Sequence, residues 1–288
     1  MKRGWIGGFV LLSAIWGSSF ALIKVAVDAG VAPIWVALWR CFFGALTLWV
    51  ICLANRASIP RNRHTWGHAA IVALLLNAVP FVLLAYGETR VSSVLAGVWD
   101  ATTPLTTLFF VLALIRAERP MARLLLGLLV GFAGVLVVLG VWHGIDTGTL
   151  IGTLACMSAT TCSSAGFVYI RRFLSNCRES ATALSAAQIT LATVELVLII
   201  PLTNGLPIWP GAAAAASLLA LGALGTGVAY ILNFRLIRTV GPTVTSMVTY
   251  VIPLWSTLLG WALLGESLSW NVVVGGVLVI SGVVLTQY

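Results

Sequence analysis

Ten long runs of nearly uninterrupted apolar residues decide what this chain can become. They extend approximately over Gly4 to Val27, Pro33 to Ala54, Gly67 to Gly87, Val91 to Ile115 and Met121 to Val141. Five more follow, over Leu150 to Ile170, Ala181 to Leu202, Gly211 to Leu236, Thr243 to Leu264 and Trp270 to Leu285. Each is read as long enough to cross a bilayer, for which a helix takes roughly 20 residues. The runs are continuous rather than alternating, so helices are expected and a barrel is not. Ten such helices consume about 200 residues of a chain of 288, and only short loops remain. Charged residues make up 8%, against about 25% in a soluble domain, too few to cover a globule in water. A soluble catalytic domain, a nucleotide-binding domain and an ectodomain of any size are thereby excluded.

The net charge of +8 would suggest nucleic acid in a soluble protein. Here it sorts by side of the membrane. With the N-terminus in the cytoplasm, thirteen of the sixteen Lys and Arg fall on the cytoplasmic side, Arg90 falls outside, and Lys24 and Arg40 lie within helices. Such a positive-inside bias supports the helix count and places both termini in the cytoplasm of a multi-pass inner (plasma) membrane protein. Lipid surrounds it, and no nucleic-acid partner is needed. Met1-Lys2-Arg3 and the apolar run after it resemble a signal peptide, but no cleavage site follows, so the run reads as the first membrane helix. The five cysteines (Cys41, Cys52, Cys156, Cys162, Cys177) include no CxxC pair, and neither a disulfide framework nor a zinc site is indicated.

The chain also repeats itself. Pro104-Leu105 matches Pro253-Leu254, 149 residues on. Glu118, Gly127, Gly134 and Val135 match Glu266, Gly275, Gly282 and Val283 at a spacing of 148, and Phe20 and Lys24 match Phe167 and Arg171 at 147. Two repeats are expected, over 1–145 and 146–288. Five helices per repeat is an odd number, so the second copy enters the membrane inverted. Inverted repeats mark secondary transporters, with the solute site near the midplane where the halves meet.

These residues carry a family resemblance over nearly the whole chain. Trp16-Gly17-Ser18-Ser19-Phe20 with Lys24, then Ala96 to Pro104-Leu105 followed by Glu118, form its first part. Thr245 to Pro253-Leu254, Leu264-Gly265-Glu266-Ser267-Leu268, Gly275-Gly276 and Ser281-Gly282-Val283 form its second. The sequence resembles the ten-helix EamA-type exporters of the drug/metabolite transporter superfamily, among them the YddG-like amino-acid exporters. The resemblance implies an all-α fold of two five-helix halves around a central cavity lined mainly by helices 1, 3, 4, 6, 8 and 9. Helices 5 and 10 would stand to the side. It further implies a secondary carrier without ATP hydrolysis and without a cofactor.

Ionisable residues inside a bilayer are costly and point to function. Lys24, Arg40, Asp100 and Glu195 are the four well inside, two of each sign, so Asp100 could hold a cation or an amino group. Arg40 and Glu195 lie on helices outside the expected lining and are read as structural. Among the aromatics, Trp16 and Trp99 lie deep, and Trp99 beside Asp100, with Tyr250 just before Pro253, would give an aromatic wall and a charge suited to an aromatic or cationic solute. Asn77 and Asn233, on helices 3 and 8, either orient a solute or bond a neighbouring helix. The expected binding set is therefore Trp16, Lys24, Asn77, Trp99, Asp100, Asn233 and Tyr250, with Pro104 and Pro253 as hinges.

No Walker loop, dinucleotide fingerprint or Ser/His/Asp set can be assembled, and His64 and His68 alone do not make a metal site. The reading is an inner-membrane secondary transporter, not an enzyme. It exports small metabolites, foremost amino acids and among them aromatic ones, by alternating access. A multidrug or organic-cation exporter is the alternative, and a channel or polytopic membrane enzyme the alternative from another class. Uniport and proton coupling are both compatible with the sequence, as are a monomer and a weak dimer.

Overall fold

A computed structural model describes residues 3–57, 59–91, 93–115, 122–143, 150–202, 209–264 and 270–286. Every regular element among them is helical. The first half holds α1 (Ile6–Asp28), α2 (Pro33–Ala54), α3 (Arg63–Ala73), α4 (Val79–Glu88), α5 (Ser93–Asp100), α6 (Thr103–Leu114) and α7 (Ala122–Val138). The second holds α8 (Leu150–Tyr169), α9 (Ala181–Ile199), α10 (Ala212–Gly222), α11 (Ala229–Val240), α12 (Pro242–Ser246), α13 (Val248–Leu264) and α14 (Trp270–Leu285). Wider π-helical turns join α3 to α4 (Leu74–Ala78), extend α8 (Ile170–Leu174) and join α10 to α11 (Ala223–Val228).

Where the helices begin follows from local chemistry. Pro33 opens α2, where its missing N–H costs nothing. The Asn62 side chain accepts from the His64 N–H at the start of α3, and Ser180 accepts from Ala183 at the start of α9. Gly241 takes φ 84° between α11 and α12, a conformation that costs glycine little.

Among the described residues, seven helical runs are long and apolar enough to cross a membrane: Ile6–Val27, Pro33–Ala54, Arg63–Gly87, Ala96–Leu114, Leu150–Leu174, Ala181–Ile199 and Ala212–Val240. The fifth, ninth and tenth segments give shorter apolar helices, α7, α13 and α14, of 17, 17 and 16 residues. Glu118 and Glu266, matched in the sequence repeat, lie outside the described residues.

The two halves interlock reciprocally. α1 packs on α10 and α13, and α8 packs on α4 and α6. α2 meets the π turn Ala223–Val228, as α9 meets the π turn Leu74–Ala78. α7 lies along α14, and the pair meets the rest of the bundle through α13. The repeat-matched glycines make that last contact: a Cβ on Gly134 would meet Gly275 O at 2.9 Å, and one on Gly127 would meet Gly282 O at 2.7 Å. Exchanging the halves turns one of these pairs into the other. Close backbone approach through small residues is how helices associate where lipid removes the hydrophobic drive.

The arginines counted as a topology signal also close helix ends. Arg172 donates to Leu114 O at 2.9 Å, and Arg238 donates to the carbonyls of Glu179 (2.9 Å), Leu174 (3.0 Å) and Cys177 (3.3 Å). Leu114 and Leu174 end helices, where cations satisfy orphan carbonyls and oppose the helix dipole.

Candidate functional site

A cavity of about 120 Å³ lies between the halves. From the first half it is lined by Trp16 and Ser19 of α1, Arg40 of α2, Phe81 of α4, Asp100 of α5 and Thr103 of α6. Thr160, Ser163 and Phe167 of α8, Tyr230 of α11, and Thr249 and Ile252 of α13 complete it. Among the described residues, α7 and α14, from the fifth and tenth apolar segments, contribute nothing to its wall. Ile23, Arg40 and Leu84 also line it and lie within about two turns of the ends of α1, α2 and α4 at one end of the bundle. Phe167 and Thr249 lie as near the opposite ends of their segments, so the cavity spans the middle of the bundle. At the other end, His68 Nδ1 lies 2.8 Å from the Tyr169 hydroxyl, and the His68 ring stacks on Phe173 at 4.9 Å.

Broken helices build the wall. Pro104 cannot donate to the carbonyl of Asp100, four residues back, and the fourth segment parts into α5 and α6. Hydroxyls take over: Thr103 Oγ1 donates to Asp100 O at 2.6 Å, and Thr160 and Ser164 of α8 donate to the carbonyls of Trp99 and Thr103, each at 3.2 Å. Asp100 therefore ends a helix, beside exposed carbonyls. The helix dipole disfavours an acid there, so the position calls for another reason. Pro80 likewise frees Leu76 O, and the Tyr230 hydroxyl donates to it at 3.1 Å across the two halves. The π turns at Leu74–Ala78 and Ala223–Val228 occupy matching places in the repeat, and such turns concentrate at functional sites.

The second π turn holds Arg40. Its Nε donates to Thr226 Oγ1 at 2.9 Å, its Nη2 to Gly225 O at 3.4 Å, and its guanidinium lies 4.0 Å from the centroid of the Phe81 ring. Trp16 Nε1 donates to the same Gly225 carbonyl at 3.2 Å. Opposite charges, Arg40 and Asp100, and the aromatic rings of Trp16, Phe81, Phe167 and Tyr230 thus share one chamber.

The expected site residues fall in different places. Trp16 and Asp100 line the cavity. The Lys24 side chain lies outside the described part of the structure. Asn77 is fully buried, and its Oδ1 accepts from Gln188 Nε2 at 2.6 Å, so it ties the third helix to the seventh. Trp99 is not among the cavity-lining residues and packs against Val91, Ala96 and Cys156. Asn233 is fully buried, with neither amide atom hydrogen-bonded among the described residues. Tyr250 is not a cavity wall either: its ring fills the notch at Gly131 of α7 and its hydroxyl donates to Leu128 O at 3.0 Å. Tyr250→Phe should accordingly cost about 1 kcal/mol of stability and leave the solute KM unchanged; a melting curve and transport kinetics check this. Of the two expected hinges, Pro104 opens α6 at a true break, whereas α13 runs through Pro253.

Arg40 is the residue that sequence reasoning set aside, because the second helix was not expected to reach the cavity. A signal was present: Arg40 and Gln188 stand 148 residues apart, at the repeat spacing, and each bonds a π turn of the opposite half.

The EamA-like transporter family model matches residues 3–140 and again 150–288. The chain belongs to the EamA-like transporter family. It is a multi-pass membrane transporter of two repeats. Among relatives, a protein of Chlamydia trachomatis serovar L2 named S-adenosylmethionine/S-adenosylhomocysteine transporter is 31% identical over 88% of this chain and 80% of its own. The inner membrane transporter YedA of Escherichia coli K12, whose function is uncharacterised, is 29% identical over 91% of this chain and 84% of its own. YoaV of Bacillus subtilis, also an uncharacterised transporter, is 24% identical over 98% and 96%. A crystal structure with 20% identity superposes over 99% of this chain and 96% of that one with a TM-score of 0.83, which shows the shared fold.

Proposed function

We propose that this EamA-family transporter is an exporter of small metabolites, foremost amino acids, working by alternating access around the cavity between its halves. The observation that carries the reading is the joint presence of Asp100, Arg40 and four aromatic rings on one small chamber. An acid and a base within one low-dielectric space suit a zwitterion, whose two charges each find a partner. The aromatic rings suit an apolar or aromatic side chain. A simple organic cation would leave the Arg40 charge unanswered and opposed to it, which favours the zwitterion over the multidrug alternative. The named chlamydial relative fits the same chemistry, since S-adenosylmethionine and S-adenosylhomocysteine both carry an amino-acid terminus. Reciprocal packing of repeats with an odd number of helices supports an inverted arrangement, the geometry in which one half rocks against the other. Counterflow in proteoliposomes against a panel of amino acids, S-adenosylmethionine and organic cations tests the reading. Saturable exchange of at least one amino-acid-bearing solute is expected, and exchange of organic cations alone would refute it.

The orientation has its own test. Single cysteines in the Arg56 to Arg63 and Arg171 to Arg178 connections should resist a membrane-impermeant thiol reagent applied from outside. Those in the Asp28 to Gly30 and His143 to Gly148 connections should react. The reverse pattern would invert the topology.

A further inference from the structure

We infer that Arg40 is the carboxylate receptor of the cavity, so that the solute site selects an α-amino acid group by its acid end. This rests on the transport reading above and deepens it. The guanidinium is fixed on three sides: Nε by the Thr226 hydroxyl, Nη2 by the Gly225 carbonyl, and one face by the Phe81 ring. These described partners are all neutral. Nη1 takes part in no described hydrogen bond, and the residue is only partly buried because it faces the cavity. A planar, pre-oriented fork with donors left over matches a carboxylate.

The other half of the molecule shows what mere bracing requires. Gln188, 148 residues after Arg40, ties its helix to the opposite π turn through Asn77 at 2.6 Å, and that pair is sealed from solvent. A neutral amide suffices to hold a helix against a π turn. The positive charge of Arg40 is therefore surplus to bracing, and a membrane protein carries such a charge at a cost. Asp100 stands on the same chamber and serves the ammonium end, which sets the two poles of the zwitterion.

The test uses the full-length protein in proteoliposomes and in detergent, with L-phenylalanine against L-phenylalaninamide and S-adenosylmethionine against its decarboxylated analogue as probes. In the wild type, at least one carboxylate should be preferred over its partner by about tenfold or more. R40Q should abolish that preference by slowing the acid about tenfold or more while leaving the carboxylate-free analogue within about twofold. Thr226→Val, which removes the Nε acceptor but keeps the charge, should retain the preference. An unchanged acid-to-analogue ratio in R40Q, or equal loss of both solutes in R40Q and Thr226→Val alike, would reduce Arg40 to a brace. Binding in detergent, followed by tryptophan fluorescence, separates the two claims. Arg40-dependent binding of a carboxylate without counterflow defeats the transport reading and keeps the site. Counterflow indifferent to R40Q defeats the site and keeps transport. A wild type that shows no preference for either acid in either assay overturns the receptor.

Discussion

Gly282→Leu and Gly134→Leu should each keep the protein from assembling in the membrane. A Cβ at Gly282 would lie 2.5 Å from Gly131 N and 2.6 Å from Gly127 O; at Gly134 it would lie 2.6 Å from Val279 N. The obstacles are backbone atoms of a facing helix, so no rotamer change relieves them, and α7 and α14 must separate. Even Gly282→Ala should cost about 3 kcal/mol, the upper end for overpacking a tight interior. Gly67→Ala is the control: nothing lies within 4 Å of its Cβ position, and a helical glycine replaced by alanine gains about 0.5–1 kcal/mol. Membrane yield and melting temperature in detergent provide the measurements. Wild-type melting for Gly282→Leu would show that α7 and α14 do not pack as described.

Asp100→Asn should slow transport of amine-bearing solutes about tenfold or more, the loss expected when a hydrogen bond to a charged group becomes a neutral one. The substitution preserves shape. It also leaves the helix break untouched, because Thr103 bonds the backbone carbonyl of Asp100 and not its side chain. Rates for amine-bearing solutes should fall most, and solutes lacking an amine should be affected least. Trp99→Ala separates this site from its neighbour. Trp99 packs against Val91, Ala96 and Cys156 and does not line the cavity, so its removal should lower stability by about 3 kcal/mol without discriminating aromatic from aliphatic solutes. Initial counterflow rates across both solute classes decide it. Unchanged amine transport in Asp100→Asn would remove the acid from the site.

The two substitutions expose where sequence reasoning reached and where it stopped. Gly134 and Gly282 were visible as a repeat match, because spacing survives in one dimension. Their partnership with Gly275 and Gly127 was not, since it depends on which faces of α7 and α14 meet. Asp100 stood out because charge is scarce in an apolar helix, and the structure places it on the cavity. Trp99, its immediate neighbour, points to a different cluster, as adjacent residues on a helix must. Tyr250 was legible as a deep aromatic, yet only the notch at Gly131 reveals where its ring goes.

The sequence by itself determined that the chain is helical, membrane-embedded, repeated and sparing with charge, and that it resembles a transporter family. Those properties rest on composition, on run length against bilayer thickness, and on spacing, all of which are read along the chain. Tertiary structure alone decided which helix faces enclose the cavity, that the second helix sends Arg40 into it, and that Tyr230 and three hydroxyls of α6 and α8 take up carbonyls freed near the prolines. Helix rotation is the reason. In a chain apolar on nearly every side, the sequence carries almost no signal of which face turns inward, and packing against the opposite repeat is what fixes it.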